Sequence, residues 1–150
     1  MNKPFRLESV LKLRSRERDF AGKEVADANA AIALLDSKLE EIATEQRQME
    51  MRRRPASDGK ISLNQILDAE RYQLVLAAQY SNLLNDRSLL VQELERRQAN
   101  LVTRQQAVKA LEKLKQSHHD QAADLLLKRE QSAMDEWSQV HHSSDQRRNP

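Results

Sequence analysis

The chain has 150 residues, enough for about one domain, with 25 basic and 23 acidic side chains and a net charge of +2 at pH 7. That near balance argues against nucleic-acid binding driven by bulk charge. The absence of cysteine excludes disulfides and thiolate metal sites, and no stretch approaches the roughly 18 apolar residues of a membrane helix. Aromatic residues are 3% and charged residues 32%, a composition suited to long helices with most residues on a surface rather than to a pocket-bearing core.

The opening Met-Asn-Lys-Pro-Phe-Arg has no apolar h-region behind it, so a soluble, intracellular chain without a cleaved signal is expected. From Leu7, positions spaced alternately by four and three run Leu7, Leu11, Arg14, Arg18, Ala21, Val25, Ala28, Ile32, Leu35, Leu39, Ile42, Gln46 and Met49. This heptad stripe stays on one helical face and predicts a first helix over about residues 5–53 that buries the stripe against another helix. Gly22 is its one weak interior position, and the surrounding alanines make the stretch slim enough for a close partner helix.

Residues 54–61 read as the turn. Pro55 disfavours helical geometry at Arg54, and Ser57-Asp58-Gly59 is turn-forming. The second helix is predicted over about 62–140, with Ser62 and Gln65 placed as a capping box and Ile61 and Ile66 as a hydrophobic staple. Its stripe is Ile66, Ala69, Gln73, Leu76, Tyr80, Leu83, Arg87, Leu90, Leu94, Arg97, Leu101, Arg104, Val108 and Leu111, and the pattern degrades after Leu114. Residues 141–150 form a polar tail.

A short turn between two long helices predicts an all-α fold: a two-helix antiparallel coiled-coil hairpin with a longer second helix, as a single domain. Counting back from the turn sets Met49 near Ile66, Ile42 near Gln73, Leu35 near Tyr80 and Leu7 near Val108. The second helix then overhangs the start of the first. Leu125, Leu126, Leu127, Met134 and Trp137 would either meet a partner there or fold back on the hairpin. Arg14, Arg18, Arg97 and Arg104 interrupt the seam at this open end. They would dock into an acidic partner or snorkel outward, with Glu8, Glu17, Asp19, Glu93 and Glu95 as the acids within reach.

Other residues look chemical without forming a site. His118-His119 and His141-His142 are adjacent pairs pointing about 100° apart, unlike the i, i+4 spacing of helical metal ligands, and read as solvated histidines. Arg52-Arg53-Arg54 complements the helix dipole. Asp135-Glu136 has no concave wall around it, and no nucleophile has a base in reach. No enzyme activity, metal or cofactor is expected.

Phe5-Arg6-Leu7-Glu8-Ser9-Val10-Leu11-Lys12-Leu13-Arg14, Lys109-Ala110-Leu111-Glu112-Lys113-Leu114-Lys115 and Arg129-Glu130-Gln131-Ser132-Ala133-Met134-Asp135-Glu136-Trp137, set on a hairpin of this size, resemble the flagellar export protein FliJ family over nearly the whole chain. The resemblance implies a non-enzymatic, cytoplasmic component of the flagellar type III protein export apparatus, peripheral to the inner membrane at the flagellar base. Such a protein is a coiled-coil stalk coupling the export ATPase hexamer to the cytoplasmic domain of the membrane export gate and handling export chaperones, in support of motility and chemotaxis. For the gate, it points to Ile42, Met49, Tyr72, Leu76 and Leu83, of which Tyr72 alone lies off the seam. Arg14, Arg18, Leu126, Met134 and Trp137 are candidates for the ATPase ring. The equivalent stalk of a virulence-type secretion system, a generic coiled-coil spacer or holdase chaperone, and a nucleic-acid-binding coil are the competing readings.

Overall fold

A computed structural model describes residues 4–53 and 62–145, with side chains through His141. Two helices account for the described fold: α1, Glu8–Arg53, of 46 residues, and α2, Leu63–Asp145, of 83 residues. The Leu7 carbonyl accepts the first helical bond of α1 from the Leu11 N–H at 2.9 Å, and the Glu8 N–H bonds the Phe5 carbonyl at 3.1 Å, so the preceding turn tightens into the helix. Ser62 starts α2 through its carbonyl, which accepts the N–H groups of Gln65 and Ile66 at 3.0 and 3.3 Å. The turn expected around Pro55, Ser57, Asp58 and Gly59 lies outside the described residues, as do Arg54 and Ile61 of the staple.

The described chain falls into two compact units. The first, Met1–Glu17 with Arg104–Pro150, pairs the start of α1 with the later part of α2. Its core is Leu11 and Val108, the latter only 1% exposed. Lys115 reaches Glu8 at 2.8 Å, Arg104 reaches Glu17 at 2.8 Å, and the Phe5 and His118 rings meet with centroids 5.9 Å apart. Partner numbers fall on α1 as they rise on α2, so the segments are antiparallel.

The second unit, Arg18–Thr103, is antiparallel by the same test. Arg53 meets Glu70, Tyr72 meets Glu45, Arg87 meets Asp36 and Arg97 meets the Glu24 carbonyl. Ala21, Ala28, Leu39 and Leu76 are its buried residues. Between the buried Ala21 and Ala28, the Arg97 guanidinium donates to the Glu24 main-chain oxygen of α1 at 2.8 Å. The fold is therefore the antiparallel helical hairpin that the two stripes demand. All of the α1 stripe after Leu7, and all of the α2 stripe after Ile66, is at least partly covered.

The register differs from the one counted through the turn. Within the second unit Asp36 stands opposite Arg87, so Leu35 belongs beside Arg87 and not Tyr80. Within the first, Glu8 stands opposite Lys115, so Leu7 lies level with Lys115 and not Val108. Both place α2 one heptad further along. A heptad stripe is unchanged by a slip of seven residues, so the apolar pattern alone fits either alignment. The flanking charges choose between them: the observed one seats Glu8, Glu17 and Asp36 against Lys115, Arg104 and Arg87.

A Cβ added at Gly22 meets nothing within 4 Å. Gly22→Ala is expected to stabilise the helix by about 1 kcal/mol, the usual difference between the two residues in a helix interior. A thermal melt should show this as a rise of a few degrees in midpoint; a fall would mean that the backbones close onto this position.

Candidate functional site

The stripe carries four ionic stations. In the first unit the Glu17 carboxylate accepts from Arg14 and Arg104, both at 2.8 Å. In the second, Glu93 accepts from Arg96 at 2.7 and 2.9 Å and from Arg97 at 2.8 Å. Arg18 turns to Asp19 beside it, and Arg87 to Asp36. Each seam arginine thus has an acid within reach on its own or the facing helix.

These pairs set the titration of the acids. Hydrogen bonds from Arg96, then Arg97, pull the Glu93 carboxyl down to about 2. A bond from Lys115 lowers Glu8, one from Arg14 with the charge of Arg104 lowers Glu17, and one from Arg87 lowers Asp36. A carboxyl whose folded value lies below its unfolded one adds stability above the unfolded value and loses it as pH falls through the folded value. The melting midpoint should hold steady from pH 7 to about 5, then drop between about 4.5 and 2. Salt at about 1 M should flatten that drop, since these side chains sit where counterions screen them. A midpoint that rises steadily on acidification would contradict this account.

Tyr72 is exposed on α2, and its hydroxyl donates to Glu45 of α1, a bond that raises the phenol above its ordinary value. Ile42, Met49 and Leu83 are half-buried in the seam, and Leu76, 3% exposed, is enclosed between the helices. Of the five gate candidates, Tyr72 presents a free surface, with the exposed Leu67 and Val75 nearby in sequence on the same helix.

The sharpest change along α2 comes after Ala122. Lys115, His118 and Ala122 continue the covered stripe by its own four-and-three spacing, and every residue from Ala123 to His141 is exposed. His118 is therefore not a solvated surface histidine; it closes against Phe5. The stripe ran on through polar residue types, so hydropathy missed it while spacing would have found it. In the exposed segment Leu126, Met134 and Trp137 are 54, 74 and 66% open. The Trp137 indole lies over the His141 ring, one turn on, with centroids 4.2 Å apart. The structure thus brings Leu126, Met134 and Trp137 onto one unpaired helical segment, while Arg14 has its charge engaged by Glu17.

Among the described residues no group of three or more His, Asp or Glu could hold a metal ion, and no helix is long and apolar enough to cross a membrane. His142 lies beyond the described side chains.

Two antiparallel helices with paired seam arginines and an exposed apolar segment define the class of two-helix hairpin proteins. The family described as flagellar FliJ protein matches residues 2–147, and the chain belongs to that family. Among solved structures, a protein described as a YscO homolog, CT670 from Chlamydia trachomatis, shares the fold, with a TM-score of 0.54 and 22% identity over 97% of this chain and 98% of that one. A search of curated proteins found no match.

Proposed function

We propose that this chain is a non-enzymatic stalk of the flagellar type III protein export apparatus, coupling the export ATPase hexamer to the cytoplasmic domain of the membrane export gate and handling export chaperones. It would act in the cytoplasm, held at the inner membrane through its partners. The observation that carries the reading is the segment Ala123–His141, which presents Leu126, Met134 and Trp137 with no covering helix. Open apolar surface of this kind is retained where a partner buries it, and membership of the FliJ family supplies the partner class. Tyr72 is the proposed gate contact because it is the aromatic candidate left open on the surface. Arg14 and Arg18 are proposed ring contacts as well, each paired with an acid of its own helix, Glu17 and Asp19.

A pull-down with the cognate export ATPase tests the proposal directly. Co-purification, together with faster ring assembly or hydrolysis, is expected. No binding and no effect on either would reject it in favour of a spacer or holdase.

A further inference from the structure

The exposed segment of α2 turns its apolar side chains to a different side from the stripe that meets α1. Carried past Ala122 at four-and-three spacing, that stripe falls on Leu125, Arg129, Ser132 and Glu136, which are mostly polar. At about 100° per residue, Ala123, Leu126, Leu127, Ala133, Met134 and Trp137 instead share an arc about 120° wide. Lys128, Arg129, Asp135 and Glu136 lie outside that arc. One charged residue breaks it, near its middle: Glu130. The residues one turn away in each direction, Leu126, Leu127, Ala133 and Met134, are all apolar. No cation of its own helix therefore stands at the three- or four-residue spacing from which a helical carboxylate is paired. Glu130 is exposed and forms no ion pair among the described residues. The carboxylates beside the covered stripe differ: Glu8 meets Lys115, Glu17 meets Arg14 and Arg104, Asp36 meets Arg87, and Glu93 meets Arg96 and Arg97.

We propose that the partner covering this face is an apolar groove carrying one basic side chain, arginine or lysine, opposite Glu130. The inference rests on the reading that the export ATPase ring takes the segment, and it adds the chemistry by which the ring recognises it. A carboxylate enclosed in an apolar groove is strongly unfavourable unless a cation meets it. Contact along the arc therefore calls for that cation from the partner. Arginine suits the place best, because its planar fork takes both carboxylate oxygens. The apolar side chains supply the adhesion and the charge pair fixes the register, since a groove slipped along the helix would strand both charges. A second copy of the segment does not meet the need, because its matching arc holds neither lysine nor arginine.

Titration of the full chain against the cognate export ATPase, read by surface plasmon resonance, tests the pairing. Glu130→Gln keeps the size and helix propensity of the side chain and removes its charge. It should bind about 30-fold more weakly or worse, mainly through faster dissociation, the usual loss when one member of an enclosed charge pair is removed. Glu130→Lys should lose more, by setting like charges together. Glu136→Gln, outside the arc, should stay within about threefold of wild type. Far-UV helicity should be the same for all four chains. Glu130→Gln binding as tightly as wild type, or tighter, overturns the proposal, because removing an unpaired carboxylate from an apolar groove strengthens the contact. Equal weakening by Glu130→Gln and Glu136→Gln overturns it as well, since that is a diffuse effect of charge rather than a pair. If wild type does not bind the ATPase at all, the ring reading fails and the pairing with it. If wild type and Glu130→Gln bind alike, the ring reading stands and the pairing alone fails. Self-association of the free chain in sedimentation equilibrium, abolished by Met134→Asp, would put a second copy on this face and also overturn the proposal.

Discussion

Changing Met134 and Trp137 together to Asp is expected to weaken binding to the export ATPase ring by roughly 100-fold or more, with far-UV helicity nearly unchanged. Large exposed apolar side chains that become central to an interface commonly cost about 2 kcal/mol or more each when lost, and about 1.4 kcal/mol is tenfold in affinity. The cost within the helix is small by comparison. Asp is less favourable than Met or Trp in a helix by only tenths of a kcal/mol, and the two side chains are 74 and 66% exposed, with the Trp137 ring lying against His141 of the same helix. Equal losses of helicity and binding would mean that the two residues hold the helix rather than the ring.

Val108→Asp should have the largest effect on stability. Val108 is 1% exposed in the first unit, the most completely enclosed large side chain described. A carboxylate there would displace a side chain only 1% exposed, at a level where Arg14 and Arg104 are already paired with Glu17, and burial of a charge between helices costs about 3 kcal/mol or more. For a chain of this size that is a fall of about 10 °C or more in melting midpoint, visible by circular dichroism. Leu114→Asp, on the same helix at a 53% exposed position, is the control and should stay within about 0.5 kcal/mol of wild type. Similar falls for both would mean that the core does not lie where the stripe puts it.

What the sequence discloses, and where it fails, follow from one property of heptads. Leu11, Ala21, Ala28, Leu39, Leu76 and Val108 are all stripe positions, and all six are buried, because a 3.5-residue period fixes which side of a helix is covered whatever covers it. The period carries no information about register, since Leu35 can face Tyr80 or Arg87 with equal satisfaction of the pattern. The deciding contacts, Asp36–Arg87 and Glu8–Lys115, lie at the edge of the stripe and become readable only once two helices are side by side. The same limit explains His118. Its place in the spacing announced a covered position, while its residue type announced a wet one, and the ring of Phe5 settles the matter. For the candidate site, the exposed run was legible from unequal helix lengths, and its apolar residues sit where expected. Leu76 was legible only as apolar: as a stripe residue it serves the hairpin interior, whereas Tyr72, one step outside the stripe, remains open.

The repeating layers of the second unit make its length adjustable. Each α1 stripe residue faces one α2 layer, and the pattern of layers recurs every seven residues on both helices. Excising residues 28–34 together with the facing 88–94 would remove two complete turns from each strand of the hairpin and bring like layers into contact across the cut. Asp36 and Arg87 would still meet across the new junction, as would Tyr72 and Glu45 beyond it. Selection can therefore reset the distance spanned by this region as one moves a stop along a ruler, in whole heptads, without redesigning what is carried on either side.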